Sequence, residues 1–199
     1  MSFADMLLAV QLNTSRRDSA IRPRQVRALV EAIKYMHGSA HFTRDITLYN
    51  ASEYIAGAST SPVTIAYPPR YRKTHQVLLK YIDQRTPTVL EQYTYAAPSM
   101  MGVALDDYFR EIGGQIIVSY SSAPTNISLE YYQFPEIEVA NEGAEHTDSW
   151  IVDLDDTAIV HLATSKVFNI IGDDAGMRSY LTMAEMAKNE LLRNVEHLD

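Results

Sequence analysis

Alternating hydrophobic and polar positions dominate the middle of the chain. Between residues 126 and 131, Ile, Leu and Tyr alternate with Asn, Ser and Glu, the period-two pattern of a strand with one buried face. Just before this segment, Gly113-Gly114 separates the runs 108–112 and 115–120. Because tight hairpin turns need positive φ, which glycine adopts without a steric clash, the pair predicts a hairpin. Strand-like runs also lie at residues 45–49, 63–67 and 76–82.

Helical periodicity marks both ends of the chain. Residues 3–12 predict a short helix, and Val26 to His37 predict a second one, with Pro23 in its first turn and Gly38 just beyond its end. Apolar residues between 156 and 171 share one helical face after a cap at Asp155 or Asp156. Gly172 then ends that helix, and a final helix follows.

This order of elements predicts an α+β fold, in which N-terminal and C-terminal helix pairs form a small bundle with an inserted antiparallel β region. We expect short loops, and therefore antiparallel neighbours, within each helix pair. The predicted division places residues 1–40 and 147–199 in the helical bundle and residues 41–146 in the β-rich insertion. The acidic, turn-rich stretch 135–149 is interpreted as a linker out of the sheet.

Composition narrows the function classes. The chain has no Cys, which excludes a disulfide framework, a thiolate nucleophile and a cysteine-based zinc site. The formal net charge of −8 argues against a general nucleic-acid binder, which carries a basic face. Asp5 and the short apolar run 6–10 do not fit a signal peptide or a membrane span, so we expect synthesis in the cytoplasm.

The charges are unevenly distributed. A basic cluster near the N-terminus consists of Arg16, Arg17, Arg22, Arg24 and Arg27. No Lys or Arg lies between Arg110 and Lys166, and that interval includes the acidic residues Glu136, Glu138, Glu142 and Glu145. The two groups are either separate solvated faces or the two halves of a head-to-tail contact between copies.

Aromatic residues are also clustered. All tyrosines except Tyr35 and Tyr180 lie between residues 49 and 132. They provide bulk for the core of a small sheet, interface area, or both. Trp150, the only Trp, is expected to anchor the start of the C-terminal helical part.

Catalytic and metal-binding motifs are weak. His37 and His41 have the spacing of zinc ligands, but Gly38 lies between them and no Glu follows His37. The run that begins at Asp153 starts like a calcium loop, but it has Ala158 where that loop requires Gly. Gly113-Gly114 precedes a strand and not a helix, so it does not fit a phosphate-binding loop. We therefore predict a protein without catalytic residues, metal or cofactor.

The chain resembles the head-to-tail adaptor (connector) proteins of tailed bacteriophages over most of residues 3–195. The resemblance rests on an N-terminal helix pair, a Tyr- and Pro-rich β region, and a glycine hairpin with Ile116-Ile117-Val118 behind it. Ala123-Pro124 and Tyr131-Tyr132 follow. The pattern continues with Trp150, the helix up to Ile171, Gly172-Asp173-Asp174 and a helix that carries Tyr180.

The resemblance implies a structural virion protein and not an enzyme. Adaptors of this kind form a ring, a dodecamer, at the neck between head and tail. The helical part docks on the portal protein and on neighbouring copies, and the β part meets tail or nozzle proteins. DNA passes through the lumen without sequence-specific binding, and residues 136–156 are a candidate for its acidic lining.

Under this implication the candidate residues fall into two groups. The subunit or portal interface would use the basic and acidic residues above together with Trp150. The tail-facing β region would use Tyr108, Gly113, Gly114, Tyr120, Tyr131 and Tyr132. An alternative function is a Tyr-rich β-insert protein that binds or hydrolyses a glycan, with loops such as Tyr93-Thr94-Tyr95 stacking on sugars.

Overall fold

The chain divides into a helical unit and a β unit. A computed structural model describes residues 2–55, 61–83, 90–98, 107–139 and 145–196. The helical unit combines Met1–Thr43 with Phe134–Asp199, and the β unit is Arg44–Gln133. Each unit has its own cluster of buried hydrophobic residues. The hydrophobic pattern predicts these boundaries after residues 40 and 146.

Within its described residues, the helical unit contains five helices and a two-stranded sheet. The helices are α1 (Phe3–Asn13), α2 (Arg22–Gly38), α3 (Trp150–Leu154), α4 (Thr157–Ile171) and α5 (Asp174–Glu196). The two short strands, Ile137–Glu138 and His146–Thr147, pair antiparallel; they are β8 and β9 in chain order, after the seven strands of the β unit.

Helix α1 begins at a capping box. The Ser2 hydroxyl accepts a hydrogen bond from the Asp5 backbone N–H, and the Asp5 carboxylate accepts from the Ser2 backbone N–H. This reciprocal pair satisfies backbone donors that the first helical turn leaves without partners. One face of α1 is buried, whereas Leu8 and Leu12 on the other face are 47% and 53% exposed.

Helix α4 is central to the helical unit, because α1, α2 and α5 all pack against it. Its buried residues include Ile159, Ala163 and Val167. It ends as predicted at Gly172, whose φ of 79° is the left-handed conformation that glycine adopts readily. Asp173 then accepts a hydrogen bond from Gly176 N–H at 2.9 Å, which caps the start of α5.

The β unit contains seven strands within its described residues. They are β1 (Ile46–Asn50), β2 (Val63–Ala66), β3 (Tyr71–Asp83), β4 (Leu90–Pro98), β5 (Tyr108–Ile112), β6 (Gln115–Ser119) and β7 (Asn126–Gln133). Their spatial order is β1-β7-β3-β4-β5-β6-β2. Short 3₁₀ turns lie at Thr43–Asp45 and Ser52–Tyr54.

The predicted Gly113-Gly114 hairpin is confirmed. Strands β5 and β6 pair antiparallel from Tyr108–Ser119 to Ile112–Gln115. Gly113 and Gly114 have φ values of 60° and 85°, so both central residues adopt the positive φ of a type I′ turn. Strand β7 follows β6 in the chain but lies between β1 and β3.

A buried ion pair lies in the β unit. Arg72 Nη1 is 3.0 Å from Asp45 Oδ2, and the two side chains are only 9% and 2% exposed. The guanidinium carbon of Arg72 lies 5.0 Å from the centre of the Tyr132 ring. Because charges away from water need close partners, this arrangement stabilises the position of β3 relative to the turn that precedes β1.

The predicted fold class, an α+β fold of two helix pairs in a small bundle with an inserted antiparallel β region, is wrong. The C-terminal segment contains three helices and not a pair, and β8 and β9 add a sheet to the helical unit. The seven strands form two antiparallel sheets, which are joined by a parallel pairing of β4 with β5 at Ala97–Tyr108 and Pro98–Phe109. Strand partners depend on contacts between distant segments, which local periodicity does not encode.

Three local predictions also need correction. Helices α1 and α2 are joined by residues 14–21 and not by a short loop. Gly38 is the last residue of α2, and φ is not positive there, so it is not a left-handed C-terminal cap. Residues 135–149 are not only a linker, because they contain β8 and β9. Helix α3 escaped prediction because its five residues are too few to display a helical period.

Candidate interaction surfaces

The predicted basic cluster is divided between a loop and a helix. Arg16 and Arg17 are exposed in the loop 14–21, and Arg24 and Arg27 are exposed on α2. Arg22, at the first position of α2, donates to Glu145 Oε1 at 2.7 Å, and the Glu145 side chain is only 6% exposed. One predicted basic residue therefore meets one predicted acidic residue within a single copy.

Glu31 links Arg27 to α4. Its Oε1 lies 3.0 Å from Arg27 Nε, and its Oε2 lies 3.0 Å from Lys166 Nζ. The pKa of Glu31 is lowered below its usual value, chiefly by the hydrogen bond from Lys166 and to a smaller extent by the one from Arg27. Neither Glu31 nor Lys166 was singled out from the sequence. The i, i+4 spacing of Arg27 and Glu31 was visible there, but the approach of Lys166 was not.

These side chains border a groove between α2 and α4, which we call the α2–α4 groove. Its volume is about 330 Å³. Its lining residues are Arg24, Arg27, Ala28, Glu31, Lys166 and Ile170. Three basic side chains face one carboxylate here, so the rim is net positive. Ile170 is 44% exposed and adds an apolar side chain that water contacts.

Two of the predicted acidic residues, Glu136 and Glu138, lie at β8. Glu136 and Glu138 are exposed, and Ile137 between them is half-buried against the core of the helical unit. The Glu136 backbone N–H donates to the Asp148 carboxylate, which holds this edge near β9. Glu142 lies outside the described residues. Glu136 and Glu138 thus make the exposed side of β8 acidic.

Trp150 makes contacts inside the helical unit. Its ring is edge-on to Phe42 at 5.0 Å and to His37 at 5.9 Å between centroids. His37 is buried, and its Nε2 is 2.7 Å from Ser149 Oγ. The ring is half-buried, so Trp150 packs within its own copy at the start of α3.

A second groove lies along α5 beside His161 of α4, with a volume of about 590 Å³. Its lining residues are His161, Met183, Met186, Ala187, Asn189, Glu190 and Arg193. Burial lowers the pKa of His161, which favours the neutral imidazole. Met186 is 68% exposed. Together with Leu8 and Leu12 of α1, it places apolar surface on the outside of the helical unit.

The predicted tail-facing tyrosines lie mostly in the core of the β unit. Tyr120, Tyr131 and Tyr132 are buried, and Tyr108 is half-buried. Burial raises the pKa of Tyr131. The hairpin is exposed over residues 110–115, which include its turn Gly113-Gly114 and Ile112 beside it. The buried tyrosines therefore fill the core of the β unit and do not provide interface area.

The prediction that Tyr93-Thr94-Tyr95 lies in a loop, where it could stack on sugars, is wrong. These residues lie within strand β4, which pairs with β3.

The segment that begins at Asp153 is a helix boundary. Asp155 Oδ1 accepts a hydrogen bond from Thr157 N–H at 2.9 Å at the start of α4. The predicted cap therefore involves the Asp155 side chain, whereas Asp156 makes no such bond as the N-cap residue.

In the parts of the chain that the structure describes, no cluster of three or more His, Asp or Glu side chains has a geometry that would hold a metal ion. No helix in those parts is both long enough and apolar enough to span a bilayer.

No protein-family model and no curated protein sequence matches this chain.

Proposed function

We propose that this chain is a structural virion protein: an adaptor whose copies form a ring, a dodecamer, that joins the portal of a tailed-phage head to the tail. The observation that carries the proposal is the way the chain is divided. The helical unit draws on both ends of the sequence, and the β unit draws on the middle. This is the order of parts that the resemblance to head-to-tail adaptors implies.

Exposed apolar side chains on the helical unit support the assembly part of the proposal. Leu8, Leu12 and Met186 are each 47% exposed or more. Exposed apolar side chains favour association because their burial removes apolar area from water. We assign the helical unit to contacts with the portal and with neighbouring copies.

The β unit is assigned to the tail proteins. Its hairpin turn at Gly113-Gly114 is exposed, and so are Ile112 beside the turn and Leu48 on strand β1. Strand β1 is at one edge of the sheet order, and edge strands offer unpaired backbone groups to a partner. Tail or nozzle proteins would bind these exposed features, because the buried tyrosines are already packed.

DNA would pass through the lumen of the ring without sequence-specific binding. The net charge of −8 supports this part of the proposal, because an acidic wall repels phosphate and keeps the duplex from adhering. Asp153 is an exposed acid in the stretch considered for the lining. In this role the protein makes contacts in the neck of the virion and breaks no bonds.

The decisive experiment mixes the purified full-length chain with the portal protein encoded by the same genome. Negative-stain electron microscopy should show an added ring of density on one end of the portal, and mass photometry should give its stoichiometry. If the chain neither forms a ring nor binds the portal, the proposal is wrong. The same chain applied to a glycan array should bind nothing, and specific glycan binding by the monomer would favour the alternative function.

A further inference from the structure

The α2–α4 groove combines an apolar floor with a net positive rim. Ala28 and Ile170 provide the floor. Of the three basic residues, Arg27 and Lys166 already bind Glu31. Arg24 is exposed and makes no ion pair with any residue that the structure describes. The groove therefore offers an uncompensated positive charge next to an uncovered apolar side chain.

A segment of opposite character lies on the same unit. Residues 136–139 read Glu-Ile-Glu-Val and run through β8. Ile137 packs against the core, whereas Glu136 and Glu138 on either side of it are exposed. Val139 follows the end of β8 and is 43% exposed. This edge presents carboxylates next to an apolar side chain, the complement of the groove.

We propose that the α2–α4 groove of one copy receives residues 136–139 of a second copy of this chain. Glu138 would pair with Arg24, and Val139 would cover Ala28 and Ile170. The inference rests on the proposed function, because it names the contact between neighbouring subunits of the ring. Groove and segment are different patches, so each copy uses both, as a closed ring requires.

The composition of the groove favours a carboxylate segment over nucleic acid. Glu31 lies between Arg27 and Lys166 and would repel a phosphate backbone that runs along the groove. A single carboxylate at Arg24 would lie about two helical turns from Glu31 and meet less of that repulsion. Val139 would also cover the exposed Ile170 and remove apolar area from water. Opposite charges set the register of such a contact and disfavour misaligned pairs.

Cysteine trapping tests the contact directly, because the chain has no Cys of its own. Full-length chains with Ile170→Cys and with Val139→Cys are mixed and oxidised, and mass spectrometry of peptides measures the disulfide between positions 139 and 170. The expected rate is about tenfold or more above that of a control mixture, in which Ser179→Cys on the exposed part of α5 replaces Ile170→Cys. Equal rates in the two mixtures overturn the inference.

Charge reversal provides an independent arm of the experiment. Arg24→Glu in the Ile170→Cys chain and Glu138→Lys in the Val139→Cys chain should each slow trapping, and together they should restore it. An acidic residue near the N-terminus of α2 is favoured by the helix dipole, so Arg24→Glu should preserve the fold; circular dichroism checks this. Arg178→Glu makes the same charge change at an exposed residue of α5, outside the groove, and should leave the rate unchanged. A rate indifferent to both reversals contradicts the proposed pairing.

The outcomes separate this inference from the function on which it rests. Portal-bound rings in which positions 139 and 170 do not crosslink contradict the inference and leave the proposed function in place. Rapid crosslinking of a chain that never binds the portal supports the contact and counts against the proposed function.

Discussion

Lys166 Nζ on α4 lies 3.0 Å from Glu31 Oε2 on α2. The same carboxylate accepts a hydrogen bond from Arg27 through its other oxygen, so one acid joins two bases from different helices. The contact borders the α2–α4 groove and sets its charge. Its strength is therefore relevant both to the stability of the helical unit and to the proposed contact between copies.

Replacing Glu31 with Gln should lower the free energy of unfolding by about 0.5 kcal/mol at neutral pH, because exposed ion pairs are screened by water and salt. The folded-state pKa of Glu31 is lowered, so its contribution is present above the unfolded-state pKa. It is lost as the pH falls through the folded-state value. The difference between wild type and Glu31→Gln should therefore disappear in acid, as measured by urea denaturation at several pH values. Glu190→Gln on α5 is the matched control, and an equal pH dependence in both variants would contradict the prediction.

The buried Arg72–Asp45 ion pair should matter far more. Asp45→Ala removes a carboxylate partner from a guanidinium that is only 9% exposed, so the expected loss is about 3 kcal/mol. The double variant Asp45→Ala, Arg72→Met should lose less than the sum of the two single variants, because neither charge is then left buried.

The location of Trp150 helps to assign this effect to a unit. Trp150 lies in the helical unit, so its fluorescence follows that unit, whereas circular dichroism follows both. In Asp45→Ala the β unit should unfold at lower urea concentration than the fluorescence transition. A strictly additive double variant would show that the two side chains do not act as a pair.

Two helical glycines should respond to alanine in opposite directions. A Cβ at Gly176 would lie 2.9 Å from the Phe168 ring and from Asp173 Oδ2, so Gly176→Ala should destabilise the protein by about 1 kcal/mol in spite of better helix propensity. At Gly38 a Cβ meets no atom within 4 Å, and Gly38→Ala should stabilise by about 0.5 kcal/mol. Thermal unfolding of both variants compares them directly, and stabilisation by both would refute the steric argument.

The hairpin turn should tolerate Asn at Gly113 but not a branched residue at Gly114. Both positions have positive φ. Asn adopts this conformation with little strain, whereas Gly114→Val should cost about 2 kcal/mol. Urea denaturation followed by circular dichroism should separate the two variants. Equal stability of Gly113→Asn and Gly114→Val would mean that the turn can rearrange to a different type.

Local features of the fold were predictable wherever one short stretch carried all the information. The Gly113-Gly114 turn and the end of α4 at Gly172 follow from the steric freedom of glycine. The repeat of apolar positions located α1, α2, α4 and α5. The prediction that Gly38 lies just beyond the end of α2 was wrong. A glycine at a helix end often adopts positive φ, whereas here Gly38 is the last residue of the helix.

The candidate surfaces were less predictable than the elements that carry them. The sequence singled out Arg24, Arg27 and Glu138 as candidate interface residues, and their side chains are exposed. It did not reveal that Arg22 binds Glu145 in the same copy. In the sequence, Lys166 was notable only as the first basic residue after an acidic interval, and its ion pair with Glu31 was not predicted. The groove exists because α2 and α4 pack together, and no local pattern specifies that contact.

The sequence by itself determined the four longer helices and most strands of the β unit, where several of them end, and where charge accumulates, because these depend on neighbouring residues. Only the tertiary structure decided that β7 lies between β1 and β3, that β4 and β5 run parallel, and that Lys166 reaches Glu31. The physical reason is that pairing between distant segments depends on how the whole chain buries its apolar surface and satisfies its backbone. Many alternative pairings share the same local pattern, and only the complete packing distinguishes them.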